Sequence, residues 1–137
     1  MNPDAQKATH EIFGEVIYAY TRKQAIEDGY QVLLTGEYAK LALRAGWKYP
    51  VYLTSGIWDL VEKAVASENH CNDLTGVLWD ILSMARFGLD IAQDSQIFTV
   101  IITGCGRKRQ HQFYLQIGPT DMDDPTPAIT IMLPEDR

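Results

Sequence analysis

The sequence predicts a single α+β domain in which a mixed or mostly antiparallel sheet has helices packed on one face. The first half alternates short β-branched and aromatic runs with helical apolar patterns, and the second half holds three strand-like runs in succession. The composition agrees, because 137 residues with 46% hydrophobic and 22% charged side chains are typical of one globular core. The alternative is a small helical cap over residues 54–93 that sits against a separate C-terminal sheet.

The N-terminal stretch begins with a helix signal. Asn2 and Pro3 suit a helix N-cap and the first helical position, which predicts a short helix as far as about Phe13. Fraying of residues 1–14 is the alternative, because chain ends are often poorly ordered. Residues 16–20 follow as a β-branched and aromatic run, which is typical of a strand.

Three short elements are predicted next. Thr21 and Gln24 have capping-box spacing, which predicts a helix over residues 22–28. A strand over residues 31–34 and a helix over residues 37–45 follow, each bounded by a glycine.

A third extended segment, residues 49–53, contains Pro50. Because proline cannot donate a ladder hydrogen bond, the sequence places the start of this strand at a sheet edge.

Two longer amphipathic helices occupy the middle of the chain. The first begins at Thr54 or Ser55, and its apolar residues recur at steps of three, one, three and one: Ile57, Leu60, Val61, Ala64 and Val65. The second follows the N-cap Asp73 and keeps the same rhythm from Leu74 to Ala92.

The C-terminal part predicts three strands, over residues 97–103, 112–117 and 128–133. The first of them is apolar on both faces, which predicts a central position in the sheet. Loops are predicted over residues 104–111 and 118–127, the second of them rich in Asp and Pro.

Charge limits the classes of partner. The formal net charge is −6 and the pI is near 4.9, with one short basic run at residues 107–109, so broad nucleic-acid binding is disfavoured. No signal-peptide pattern and no apolar run of membrane-spanning length occurs in the sequence. With two cysteines, Cys71 and Cys105, the expectation is a cytoplasmic protein with reduced thiols.

Several blocks resemble a known family. They are residues 16–29, residues 45–51 with Thr54 and Trp58, the Leu78-Trp79-Asp80 segment, and residues 129–136. The chain thereby resembles a family of small uncharacterised proteins of phages, plasmids and other bacterial mobile elements, classed as a domain of unknown function. The resemblance implies a mobile-element origin and a cytosolic setting in a bacterial host, and it transfers no catalytic residue.

The residue types that carry catalysis or bind metals are present without their usual spacing. His70, Cys71, Cys105 and His111 lack the paired spacing of zinc ligands, so no metal and no cofactor is expected. Cys105 lies between two glycines before the basic run, where nearby cations would lower a thiol pKa, but no third orienting group is visible. A turn cysteine is the simpler interpretation, and the sequence favours a protein that is not an enzyme.

The acidic residues of the second loop raise the question of a calcium site. They are Asp121, Asp123 and Asp124, and they lack the further ligands and the central glycine of a calcium loop. The interpretation is a solvated turn.

Amphipathic aromatic residues suggest a different function. The candidate contacts are Trp47, Tyr49, Trp58 and Trp79, together with Arg86. The hypothesis is an accessory protein that binds and modulates a host or phage protein, with inhibition of a defence system as one form. Packing of these aromatic side chains under loops or against the sheet is the alternative.

Two further hypotheses stay open. One is a nucleotide- or anion-binding domain or enzyme that uses Arg22, Arg107, Arg109 and His111, with Cys105 beside them. The other is a homodimer paired through an edge strand among residues 112–133.

Overall fold

The computed structural model describes residues 21–90 and 92–136. The N-terminal helix and the strand predicted before residue 21 lie outside the described residues. In chain order the elements are α1 (Arg22–Glu27), β1 (Gln31–Leu33), α2 (Glu37–Arg44), β2 (Val51–Thr54), α3 (Ser55–Ala66), α4 (Leu74–Arg86), β3 (Ser95–Ile101), β4 (Gln110–Asp121), β5 (Asp124–Met132) and a final 3₁₀ turn (Pro134–Asp136).

The strands form one mixed sheet in the order β1-β2-β5-β4-β3. β2 runs parallel to β5, and the other neighbouring pairs are antiparallel. This arrangement confirms the predicted α+β class with a mixed sheet. The alternative of a separate helical cap is wrong, because α3 and α4 share one core with the C-terminal strands.

The core lies between one face of the sheet and helices α2, α3 and α4. Its centre is formed by side chains that are 0% exposed, among them Leu53, Phe113 and Ile131 on strands and Ile57 and Ile81 on helices. The apolar stripes predicted for α3 and α4 supply the helical half of this contact.

The short helix α1 belongs to the opposite face. Its first residue, Arg22, bonds to Thr130 of β5 and lies over the ring of Tyr52 on β2. Because side chains alternate along a strand, these two residues point away from the core residues Leu53 and Ile131 that follow them. The predicted capping box is present, since the Gln24 N–H donates to Thr21 Oγ1 over 3.1 Å and the Thr21 N–H donates to Gln24 Oε1 over 3.1 Å.

Two predicted strand positions are wrong. The strand after Pro50 is internal, because β2 pairs with β1 on one side and β5 on the other. Pro50 lies before the strand, so it does not have to donate a ladder hydrogen bond. Its carbonyl accepts the Ile129 N–H over 2.9 Å. β3 lies at the edge of the described sheet rather than at its centre. Its second apolar face is therefore exposed, with Ile97 51% and Ile101 60% accessible.

Two predicted boundaries also differ. Helix α4 ends at Arg86, before the predicted end at Ala92, because Gly88 takes a φ of +75°. At this end of the helix, the Gln96 side chain donates a hydrogen bond to the Ala85 carbonyl over 2.7 Å. The predicted loop over residues 118–127 is mostly hairpin strand, where Pro119 and Pro127 oppose each other and neither nitrogen has to donate.

Within residues 21–90 and 92–136, no helix has the length and apolar character required to cross a bilayer.

The core position of Leu53 gives a first prediction. Leu53→Ala removes a side chain that is 0% exposed and leaves a cavity, so the free energy of unfolding should fall by about 2–5 kcal/mol. Leu43→Ala is the matched control, because Leu43 is 61% exposed and its loss should change stability by less than about 0.5 kcal/mol. Urea unfolding followed by tryptophan fluorescence measures both; equal effects would contradict this description of the core.

Candidate functional site

The loop that joins α2 to β2 holds two of the candidate aromatic residues in different environments. Trp47 is 4% exposed, and its indole N–H donates to the Leu82 carbonyl over 3.0 Å. Trp47 therefore belongs to the core, and its assignment as a surface contact is corrected. Tyr49, two residues later, is 47% exposed.

Arg86, at the last turn of α4, packs over this loop. Its guanidinium carbon lies 5.7 Å from the centroid of the Trp47 ring, within the range of a cation–π contact. Gly46 makes this possible, because a Cβ at its position would overlap the Arg86 Nε atom, and its φ of +105° suits glycine. The Arg86 guanidinium forms no hydrogen bond or ion pair with the residues that the structure describes, so its donors remain available to a ligand.

Tyr49 stands between two open clefts, which together we call the Tyr49 site. One cleft of about 430 Å³ is lined by Trp47, Lys48, Tyr49, Arg86, Leu89, Asp90 and Gln93, among others. The other, of about 450 Å³, is more apolar and includes Leu33, Leu43 and Pro50. The site therefore combines an exposed aromatic ring and exposed aliphatic side chains with two cations, Lys48 and Arg86.

The remaining two aromatic candidates lie elsewhere. Trp79 is 39% exposed and lines a shallow groove with Leu41 and Arg44 of α2. Trp58 is half-buried against the core, as the packing alternative predicted. The structure thus brings Trp47, Tyr49 and Arg86 together and leaves Trp58 and Trp79 outside the Tyr49 site.

The alternative anion-binding set is divided between the two faces of the sheet. Arg22 lies on the face opposite the core, and its guanidinium donates to the Thr120 carbonyl, Gln31 Oε1 and Thr130 Oγ1. His111 is 8% exposed on the core face, where its register partner is Val100.

Arg107 and Arg109 are exposed on the loop between β3 and β4. Arg22 already uses three donors in structural bonds, so the four residues do not form one site.

Cys105 lies close to His111, with 3.5 Å between Sγ and Nε2. Burial raises the pKa of the Cys105 thiol, and this effect exceeds the lowering by its backbone hydrogen bond and by Lys63. The suggestion that nearby cations would create a reactive thiolate is therefore not supported. Among the described residues, no group of three or more His, Cys, Asp or Glu side chains is arranged to hold a metal ion.

Asp121 has a role that the sequence analysis missed. Assigned to a solvated turn, it instead accepts the backbone N–H groups of Arg22 over 3.3 Å, Lys23 over 3.0 Å and Met122 over 2.8 Å. These hydrogen bonds, together with the charge of Arg22, hold the pKa of the Asp121 carboxyl below its ordinary value. Asp121 thus fixes the start of α1 to the β4–β5 hairpin.

A second groove also escaped the sequence analysis. It lies between α4 and the outer edge of β3 and measures about 390 Å³. Its lining includes Asp80, Ser83 and Met84 from the helix and Thr99 and Ile101 from the strand. The sequence signal for this groove is the second apolar face of residues 97–101, which is also typical of a central strand.

Comparison with known protein families gives a match over most of the chain. The model of a family of unknown function (DUF6573) matches residues 10–137, a range that includes the loop over residues 104–111 outside the blocks of resemblance. No curated protein and no solved structure matches the chain.

The environment of Cys105 gives a prediction on thiol reactivity. At pH 7.5 iodoacetamide should modify the exposed Cys71 several-fold faster than Cys105, because the raised pKa keeps Cys105 in the unreactive thiol form. Mass spectrometry of the intact protein measures the rates, with Cys71→Ser as the control that isolates Cys105. Faster modification of Cys105 than of Cys71 would support the hypothesis that Cys105 is a reactive thiolate.

The contacts of Asp121 predict a dependence of stability on pH. Because the folded state lowers this pKa, the stabilisation is present above the ordinary value of 3.8 and is lost as the pH falls below it towards the folded value. Asp121→Asn should lower the melting temperature at pH 7 and reduce the loss of stability on acidification. Asp123→Asn is the matched control, since Asp123 is exposed at the hairpin turn. If the wild type and Asp121→Asn lost the same stability on acidification, the role given to Asp121 would be contradicted.

Proposed function

The chain belongs to that family of unknown function, and we propose that it is a protein-binding accessory factor whose contact surface is the Tyr49 site. The observation that carries the proposal is the half-exposed ring of Tyr49 between two open clefts, on a loop anchored in the core by Trp47. Exposed aromatic residues in such surroundings are enriched among the residues that dominate protein interfaces.

Rigidity of the loop supports this proposal. The hydrogen bond from Trp47 to the Leu82 carbonyl and the packing of Arg86 over Gly46 fix the backbone on the N-terminal side of Tyr49. On the other side, the Pro50 carbonyl is bonded to β5. A preformed contact loses little conformational entropy on binding, so more of the interaction free energy appears as affinity.

Charge at the Tyr49 site defines the chemistry of the partner. Lys48 and Arg86 are exposed, and Asp90 is the acidic side chain in the same cleft. The guanidinium has donors free for a carboxylate, and Leu33 and Leu43 extend an apolar surface beside Tyr49. The partner therefore presents an acidic side chain next to an apolar one, even though the whole chain carries a net charge of −6.

The setting we propose is the cytoplasm of a bacterial host, with a host or phage protein as the partner and inhibition of a defence system as one form of modulation. This part is supported by the resemblance of the sequence blocks to mobile-element proteins.

Two alternatives make different predictions. A nucleotide- or anion-binding function would now rest on the exposed Arg107 and Arg109 alone, and ATP should then raise the melting temperature only while both are present. A homodimer could not pair through residues 112–133 as hypothesised, because β4 and β5 are internal strands. Within the described sheet, strand pairing between two copies would instead use β1 or β3.

The Tyr49 site predicts a selective effect of one substitution. Tyr49→Ala should weaken partner binding roughly 30-fold, as expected for an interface residue worth about 2 kcal/mol, while the melting temperature stays nearly unchanged. The measurement is a quantitative pull-down of the tagged chain from bacterial lysate, followed by titration with the captured protein.

Tyr30→Ala provides the matched control, since Tyr30 is a 59% exposed tyrosine that does not line either cleft. A partner that wild type and Tyr30→Ala capture and Tyr49→Ala loses would support the proposal. Equal capture by all three would reject the Tyr49 site, and a large drop in melting temperature for Tyr49→Ala would place the ring in the core.

A further inference from the structure

Strand β3 presents an open backbone edge. The Ile102 N–H donates to the Arg109 carbonyl over 2.9 Å, and the Ile117 N–H donates to the Asp94 carbonyl over 2.7 Å. Hydrogen-bonded and non-hydrogen-bonded pairs alternate along an antiparallel ladder. The backbone N–H and C=O groups of the even-numbered residues of β3 therefore point towards β4. The N–H and C=O groups of Ile97, Thr99 and Ile101 therefore point outward, and β3 has no second strand neighbour in the described sheet.

This edge lacks the features that usually prevent strand addition. β3 has seven residues, Ser-Gln-Ile-Phe-Thr-Val-Ile, with no charged side chain and no proline. The opposite edge of the described sheet, β1, has only three residues. The outer face of β3 adds two apolar side chains, with Ile97 51% and Ile101 60% exposed.

The second groove places helix α4 beside this edge. Along the helix side lie Asp80, Ser83 and Met84, of which Met84 is 39% exposed. The Ser83 Oγ atom is buried and has no hydrogen-bond partner among the described residues. The Asp80 carboxylate likewise forms no ion pair or hydrogen bond with them, and desolvation by burial raises its pKa.

We propose that this groove binds an extended basic peptide, which adds to β3 as a further strand and places a Lys or Arg side chain against Asp80 and Ser83. The alternation of side chains between the two faces of the sheet defines the sequence pattern of the ligand. A peptide residue opposite Val100 faces α4, whereas residues opposite Thr99 and Ile101 face the other side of the sheet, next to Ile97 and Ile101. The ligand therefore alternates basic residues with apolar ones.

Charge favours a basic peptide over a second copy of the chain. Pairing of two β3 strands would bring the Asp80 carboxylates of both copies to the shared groove without a cation between them. The net charge of −6 likewise attracts a basic ligand and repels an identical chain. The groove shares no lining residue with the Tyr49 clefts, so this inference does not depend on the proposed function.

The test is fluorescence anisotropy of the full chain with a short labelled peptide that alternates Val with Lys, compared with the same peptide carrying Glu in place of Lys. The Lys peptide should bind at least about tenfold more tightly than the Glu peptide, the gain expected from a hydrogen-bonded charge. Asp80→Asn should remove this preference while the chain stays folded.

Thr99→Pro removes an outward N–H at an edge position where proline is tolerated, and it should abolish binding of both peptides. Thr99→Val keeps the N–H and should bind like the wild type. Should Thr99→Pro fail to fold, hydrogen exchange on the wild type decides the point, because the Lys peptide should slow exchange at Ile97, Thr99 and Ile101.

Four results would overturn the inference. They are no binding of the Lys peptide to the folded wild type, equal affinity for the two peptides, peptide binding that Thr99→Pro leaves intact, and a wild-type dimer in light scattering that Thr99→Pro dissociates. The last result would assign the edge to a second copy of the chain.

Discussion

The parallel pairing of β2 with β5 is the constraint on which the rest of the structure depends. It places Leu53 beside Ile131, two side chains with 0% exposure, and it joins the helix-rich first half of the chain to the C-terminal antiparallel strands. Without it, β1 and β2 would be separated from the three-stranded part of the sheet. The helices that follow β2 could not then cover both parts, so the shared core is a consequence of this one pairing.

Helix α4 links the two candidate binding surfaces. Its last turn supplies Arg86 to the Tyr49 site, and its middle supplies Asp80 and Ser83 to the groove beside β3. The two surfaces therefore carry opposite local charge on a single rigid element. The Gln96 side chain bonds the end of that helix to β3. A displacement of α4 would alter both surfaces together.

The sequence predicts those parts of the fold that depend on near neighbours. The capping box at Thr21 and the apolar stripes of α3 and α4 are local signals, and the elements form where these signals occur. Strand order depends on contacts between distant residues, which is why β2 and β3 were each assigned the wrong position. An apolar second face is typical of a central strand, and in β3 it instead marks an exposed edge.

The candidate site likewise depends on contacts between distant residues that local sequence signals do not show. Nothing in the local sequence separates Trp47 from Tyr49, because the difference arises from a hydrogen bond to the Leu82 carbonyl, 35 residues further along the chain. Arg86 is a candidate contact from the sequence, whereas its packing on Gly46 depends on the folded loop. Asp80 and Ser83 form a candidate site only because the fold places the edge of β3 beside them.

The cap that Asp121 provides for α1 has a consequence for protein synthesis. The carboxylate lies 99 residues after Arg22, whose N–H it accepts, and a six-residue helix is too short to be stable alone. When the ribosome releases α1, the cap has not been translated, and the β5 strand that β2 requires is also missing. The N-terminal half therefore lacks its contacts with β4 and β5 until those strands are translated. A nascent chain that stalls before residue 121 leaves the apolar faces of β2, α3 and α4 that pack against them exposed to chaperones and proteases.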